Sequence, residues 1–95
     1  MANRFSKELL RQLRNDIPVN ILIAEILDIP TKISEGYVRF LCPICREFNT
    51  AINPKTNLGR CFCCNKNYNP IDIVMTVKHL NFKEAAQFLI NIKKI

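Results

Sequence analysis

The sequence predicts a small α+β fold, with antiparallel β-hairpins in the middle of the chain and helices on both sides of them. Apolar residues recur at helical spacing near both ends of the chain. The central part instead contains short β-leaning runs around turn residues, and paired cysteines follow these runs. We expect one domain over residues 1–95, with N-terminal helices in 1–28, the β-hairpins in 29–68 and C-terminal helices in 69–95.

The N-terminal part is predicted to form two helices. Residues 4–15 carry an apolar face with steps of four residues, made by Phe5, Leu9 and Leu13. A basic stripe at helical spacing runs along the same helix, made by Arg4, Lys7, Arg11 and Arg14. Pro18 suits the first turn of a second helix, which runs to about Leu27 and is ended by Pro30. We interpret the basic stripe first as a solvated face and second as a contact for nucleic acid.

The central part is predicted to form two hairpins. The expected strands are residues 31–33, 37–41, 50–53 and 58–62. The dipeptide Glu35-Gly36 supplies the first turn, and the segment from Pro54 to Asn57 supplies the second, because these residue types favour turn conformations. The two hairpins place one pair of cysteines after each of them.

The C-terminal part is predicted to be helical again. Asn69-Pro70 opens one helix, in which apolar residues follow at helical spacing. Asn81 and Glu84 have the spacing of a capping box at the start of the last helix. The buried face of that helix is predicted to consist of Phe82, Ala85, Ala86, Leu89 and Ile92.

Four of the five cysteines form two C-x2-C pairs, which are Cys42, Cys45, Cys61 and Cys64. Fifteen residues separate the pairs, a spacing typical of zinc sites. A gap of two residues lets one tight turn direct two thiolates at a single ion, and two such turns complete a tetrahedron. The hairpins are therefore predicted to form a small zinc ribbon with one structural Zn2+. Four protein ligands leave no open position at which the metal could activate water.

The cysteine pattern leaves alternatives open. Cys63 could replace Cys64, but adjacent or singly spaced cysteines chelate less well, so Cys63 is predicted to be a free thiol. A tetrahedron of thiolates also suits iron, and buried cysteines without a metal are a further possibility. We expect zinc binding to be part of folding, since an unfolded chain does not bring four thiolates together. His79, the one histidine, is interpreted as a surface residue.

The charge balance favours an anionic partner. Fourteen lysines and arginines against eight acidic residues give a formal net charge of +6, which is typical of proteins that bind nucleic acid but also of merely soluble basic proteins. The apolar stretch from Ile17 to Ile29 contains Asn20, Glu25 and Asp28, so we expect no membrane partner. Without a visible signal sequence we expect a cytoplasmic protein with reduced cysteines. With no catalytic pair or Gly-rich phosphate loop, we expect no small-molecule substrate.

The motifs also follow one another in a familiar order. They are Cys42-Pro-Ile-Cys45, Ile52-Asn-Pro54, Cys61-Phe62-x-Cys64, Ile71-Asp72-Ile-Val74 and Phe82-Lys-Glu84-Ala85-Ala86-x-x-Leu89. In this order the chain resembles the N-terminal zinc-binding domain of bacterial DnaG-type primases, over residues 15–92. Cys45 stands where that family usually has histidine. Residues 46–50 replace the family's Glu-Lys-Thr-Pro-Ser-Phe stretch, which lies near its template surface.

The resemblance implies a fold and a function. In that family the domain is a zinc ribbon flanked by helices that contacts single-stranded DNA template and helps to choose where a primer begins. It implies a binding module in DNA replication rather than an enzyme by itself, working with a primase catalytic domain or a polymerase or helicase partner. Two alternatives remain: a zinc module that docks to a replication or transcription protein without touching DNA, and a redox or metal-storage role for Cys63.

Candidate contacts for nucleic acid are cations interleaved with aromatic rings, since a single strand binds through its phosphates and its stacked bases. They are Arg39, Arg46, Arg60, Lys66, Tyr37 and Phe48. Tyr37 and Arg39 are predicted to share one strand face, with Val38 and Phe40 on the core face. Phe62, like Phe40, is expected to pack in the core.

Overall fold

The computed structural model describes residues 5–93, which form four helices and five strands. The elements are α1 (Lys7–Asn15), α2 (Val19–Ile21, continued by a π-helical turn at Leu22–Ile26), β1 (Thr31–Ser34), β2 (Tyr37–Phe40), β3 (Thr50–Asn53), β4 (Leu58–Cys61), β5 (Lys66–Tyr68), α3 (Pro70–Lys78) and α4 (Phe82–Lys93). The α+β fold class predicted from the sequence is confirmed. Arg4, the first residue of the predicted stripe, lies outside the described residues.

Helix α1 is capped by Ser6, whose hydroxyl oxygen accepts a hydrogen bond from the Leu9 amide at 3.0 Å. Its apolar face buries Leu13 completely and Leu9 partly, as the sequence predicts. Helix α2 ends in a wider turn, where the Leu27 amide donates to the carbonyl of Leu22 at 2.8 Å. This spacing of five residues defines the π-helical turn, which the apolar periodicity did not indicate.

Strands β1 and β2 form a hairpin with a two-residue loop, because Ser34 pairs with Tyr37. Both loop residues have positive φ, 55° at Glu35 and 80° at Gly36, as a type I′ turn requires. The loop dipeptide predicted from the sequence is therefore the observed one. The second strand ends at Phe40, one residue earlier than predicted.

Strands β3, β4 and β5 form a separate antiparallel sheet in that order. The third strand, β5, was not predicted. It pairs Tyr68 with Gly59 and so brings the tyrosine ring into the core, where its edge contacts Phe40 with ring centroids 6.3 Å apart. Strand β4 ends at Cys61, and Phe62 beyond it is 57% exposed, so the expectation that Phe62 packs in the core is wrong. Alternation along the chain turns Phe62 outward, because Cys61 faces inward.

The side chain of Thr50 joins the two sheets. Its hydroxyl oxygen accepts from the Phe40 amide at 2.7 Å and donates to the Phe40 carbonyl at 2.5 Å. These two bonds connect β2 with β3, which belong to separate sheets. Thr50 is the buried polar residue of the core in the described part of the chain, and both of its hydrogen-bonding roles are satisfied.

The C-terminal helices pack against α1 and close the core. Asn69 and Asp72 form a capping box at the start of α3, and Asn81 and Glu84 form the predicted one before α4. Helix α3 ends at His79, which has a left-handed conformation with φ of 56°. In α4, Phe82 is 44% exposed, whereas Ala85, Ala86 and Leu89 are buried, so Phe82 does not belong to the predicted buried face. No helix within residues 5–93 is both long enough and apolar enough to cross a bilayer.

Candidate metal centre and the adjacent sheet groove

The Sγ atoms of the four paired cysteines converge at one point in the fold. Those of Cys42, Cys45, Cys61 and Cys64 all lie within 4.8 Å of one another. Cys42 and Cys61 are buried, while Cys45 and Cys64 are half-buried. Cys63 is exposed and outside the cluster, as is His79.

Two similar turns position these sulfur atoms. In the first, the Cys42 sulfur accepts from the Ile44 amide at 3.4 Å. In the second, the Cys61 sulfur accepts from the Cys64 amide at 3.3 Å. The residue after each turn, Arg46 or Asn65, has positive φ, which reverses the chain. Each C-x2-C segment is thus held in its turn by hydrogen bonds from its own backbone.

Two of the six separations between the sulfur atoms match the edge of a single tetrahedral site, and the others are no longer than 4.8 Å. Metal–sulfur bonds of about 2.3 Å require edges of about 3.8 Å between sulfur atoms. The Cys42 and Cys64 sulfur atoms are 3.8 Å apart, and those of Cys45 and Cys61 are 3.6 Å apart. Donors of this kind and geometry suit zinc, and the four cysteines would hold it without an open position.

The pKa values of the thiols explain why a bound cation is needed to keep all four of them deprotonated. Burial raises the pKa of Cys42, but hydrogen bonds from the Cys45 and Ile44 amides and from the Tyr68 hydroxyl outweigh it and lower that pKa to about 6. Burial and the neighbouring cysteines raise the pKa of Cys64 to about 12, and burial also raises the pKa of Cys61. One thiolate is therefore stabilised by local donors, whereas a full set of four requires a bound cation.

A groove of about 710 Å³ runs across the outer face of the three-stranded sheet and reaches the first hairpin. Its walls include two exposed aromatic rings, Tyr37 at 53% and Phe62 at 57% exposure. Its cations are Lys55 and Arg60, and none of the described residues that line it is acidic. The remaining lining residues are Asn20, Gly36, Val38, Ala51, Ile52, Asn53, Pro54, Thr56, Leu58 and Asn67.

Arg60 is held in place within the groove. Its guanidinium donates to the amide oxygen of Asn67 at 3.2 Å and to that of Asn65. It also lies over the Phe62 ring, 5.8 Å from the centroid. Because its partners are neutral, Arg60 keeps its full positive charge for an anion.

The six residues predicted to contact nucleic acid lie on more than one surface, although Arg39 and Tyr37 share a strand face as predicted, with the Arg39 guanidinium 5.7 Å from the Tyr37 ring centroid. Tyr37 and Arg60 line the groove. Arg39 lies with Phe48 in a second depression, and its guanidinium is bound to Glu35 at 2.9 Å and to the Thr50 carbonyl at 2.8 Å. Arg46 and Lys66 lie on two further surfaces.

Arg46 borders a third hollow beside His79. Lys66 lies over the Tyr68 ring, 5.9 Å from its centroid, on the opposite face of β5 from Asn67. Lys55 and Phe62 line the groove with Arg60 but were not among the six. Alternation along Arg60-Cys61-Phe62 was the signal in the sequence that could have placed Phe62 on this face.

Comparison with known proteins indicates the family of this sequence. A family model described as CHC2 zinc finger matches residues 5–95. A DNA primase of Streptomyces coelicolor is 29% identical over 91 residues, which cover 94% of this chain but only 14% of that primase. The family match and the four converging sulfur atoms together confirm the prediction of one structural zinc ion.

Proposed function

This chain belongs to the CHC2 zinc-finger family of DnaG-type primases, and we propose that it holds single-stranded DNA template and supports primer initiation. It spans 14% of the primase that it resembles, so catalysis is assigned to a separate domain or to a partner polymerase. In this proposal the chain is a non-catalytic module that acts in the cytoplasm, with a replicative helicase as a further candidate partner.

The outer groove carries this proposal. Proteins that bind single strands combine a cationic groove with aromatic side chains on which bases stack. Tyr37 and Phe62 offer exposed rings, and Lys55 and Arg60 offer cations that no acidic lining residue neutralises in the described part of the chain. The depression around Arg39 is a weaker candidate, since Glu35 and Glu47 line it.

Zinc acts in this proposal by positioning the groove rather than by chemistry. Cys61 is both a candidate ligand and the last residue of β4, and Phe62 follows it directly. Arg60 precedes it in the same strand. A metal that holds Cys61 therefore also fixes the ring and the guanidinium on either side of it.

Fluorescence anisotropy of the zinc-loaded chain with single-stranded and duplex oligonucleotides tests the proposal. We expect binding that prefers the single strand and weakens with salt. An Arg60→Ala/Phe62→Ala variant should bind at least about tenfold more weakly, because removing a base–aromatic stack alone costs about 1–3 kcal/mol. Lys83→Ala, at an exposed position of α4, is the control and should bind normally. Absence of binding at low salt, with the fold intact, would move the function to protein docking.

A further inference from the structure

The basic stripe of α1 lies outside the groove. Within the described residues it consists of Lys7, Arg11 and Arg14, of which the first two are exposed and the third is half-buried. None of the three has an ion-pair partner among residues 5–93. Along the helix axis they are spaced by about 6 and 4.5 Å, so the stripe is a short row of positive charge on a helix whose one acidic residue is Glu8.

Asn57 connects this helix to one end of the groove. Its side-chain amide donates to the carbonyl oxygens of Arg14 and Ile17, each at 2.7 Å, and its oxygen accepts from the Val19 amide at 2.8 Å. The preceding residues Lys55 and Thr56 line the groove. The C-terminal end of α1 therefore lies beside the end of the groove at which Lys55 is found.

We propose that a DNA strand leaving the groove at Lys55 continues over α1 and binds its phosphates to Lys7, Arg11 and Arg14. The proposal rests on the proposed function, since it extends the path of the same strand. Phosphate contacts of this kind add affinity without reading sequence. Bases splayed onto Tyr37 and Phe62 would leave the adjoining nucleotides unpaired, so the occupant of the stripe is single-stranded.

A membrane surface is a poorer occupant of this helix. Insertion of an amphipathic helix into lipid requires a free apolar face. The apolar face of α1 is already used, because Leu13 is fully buried and Leu9 and Leu10 pack against the core. Only the side with Lys7, Arg11 and Arg14 remains free to contact a partner, and its positive charge favours an anionic polymer.

Oligonucleotides of two lengths test the proposal. A strand of about 6 nucleotides fills the groove, whereas one of about 16 nucleotides also reaches the stripe, within the range of site sizes for single-strand binding folds. For the zinc-loaded Lys7→Ala/Arg11→Ala variant we expect unchanged binding of the short strand and roughly tenfold weaker binding of the long one. The slope of log affinity against log salt should become shallower by about 0.7 for each phosphate that the variant no longer neutralises. Lys78→Ala/Lys83→Ala removes the same charge from α3 and α4 and should not change binding.

The outcomes separate the two proposals. If the α1 variant binds both strands as tightly as the wild-type chain does, the stripe is not on the path of the strand. In that case the inference is wrong but the proposed function is unaffected. The inference also falls if the variant weakens binding of both strands by the same factor, because the short strand does not reach the stripe. If the wild-type chain binds neither strand, the proposed function falls and takes the inference with it.

Discussion

The ring of Phe40 packs against the backbone of Gly59. A methyl group added at Gly59 would lie 2.9 Å from Cε1 and 3.1 Å from Cζ of that ring. Phe40 is fully buried and Thr50 binds both of its backbone polar groups, so the ring has little freedom to move aside. Gly59 is thus the position in β4 that lets the two sheets approach each other.

Gly59→Ala is therefore predicted to destabilise the fold by about 1–3 kcal/mol through overpacking. Urea unfolding of the zinc-loaded protein measures this as a lower midpoint. The double variant Gly59→Ala/Phe40→Leu should lose less stability than the sum of the losses in the two single variants, because the smaller side chain leaves room for the methyl group. An unchanged midpoint for Gly59→Ala would show that the ring yields freely.

Asn57 is predicted to hold the N-terminal helices on the sheet. Asn57→Ala removes three hydrogen bonds and places alanine at a φ of 56°, so we expect the free energy of unfolding to fall by about 2–4 kcal/mol. Asn57→Gly keeps the backbone conformation and isolates the hydrogen-bond part of that change. Thermal unfolding measures both variants, and a melting temperature equal to that of the wild type would contradict the assigned role.

Of the adjacent cysteines Cys63 and Cys64, only Cys64 is predicted to contribute to zinc binding. Cys64 belongs to the sulfur cluster and Cys63 is exposed outside it. Cys63→Ser should retain one zinc ion per chain and a normal melting temperature. Cys64→Ser should lose the zinc ion and melt at a lower temperature. The zinc content of each variant after gel filtration measures the difference, and equal zinc content in the two variants would contradict the prediction. Cys45→His is expected to keep the metal, because imidazole is an equally good zinc ligand.

Removal of zinc is predicted to melt the ribbon of β1 to β5. A chelator removes the metal directly, and acid removes it because protons compete for the sulfur atoms. Cys61 and Cys64, whose pKa values are raised, release their protons on zinc binding at pH 7. With at least these two protons released, the apparent zinc affinity should fall by at least about 100-fold for each unit of falling pH. Circular dichroism follows the unfolding, and a native-like spectrum of the metal-free chain would contradict this prediction.

The sequence predicts the parts of this structure that depend on local chemistry. The spacing of Cys42, Cys45, Cys61 and Cys64 implies a shared ion, because two tight turns decide where the thiolates point. Asn81 and Glu84 predict a helix start for the same reason, since a capping box involves only four consecutive residues.

The remaining features depend on pairing between distant residues. Strand β5 contains only Lys66, Asn67 and Tyr68, without an apolar run, and exists because β4 offers it a free edge. Arg39 was predicted to contact phosphate, but its charge is shared with Glu35 across the hairpin loop. Residue type alone therefore grouped Arg39 and Phe48 with Arg60, although the fold places them in a different depression; their contact with nucleic acid stays a prediction.

Mapping a bound single strand onto the zinc-loaded chain by NMR tests whether the strand occupies the outer groove. Backbone amide shifts would be compared with and without a short single-stranded oligonucleotide. We expect the largest changes to cluster at residues that line the outer groove, which are Tyr37, Ala51, Arg60, Phe62 and Asn67. Changes confined to the depression around Arg39 and Phe48, or to α3 and α4, would contradict it.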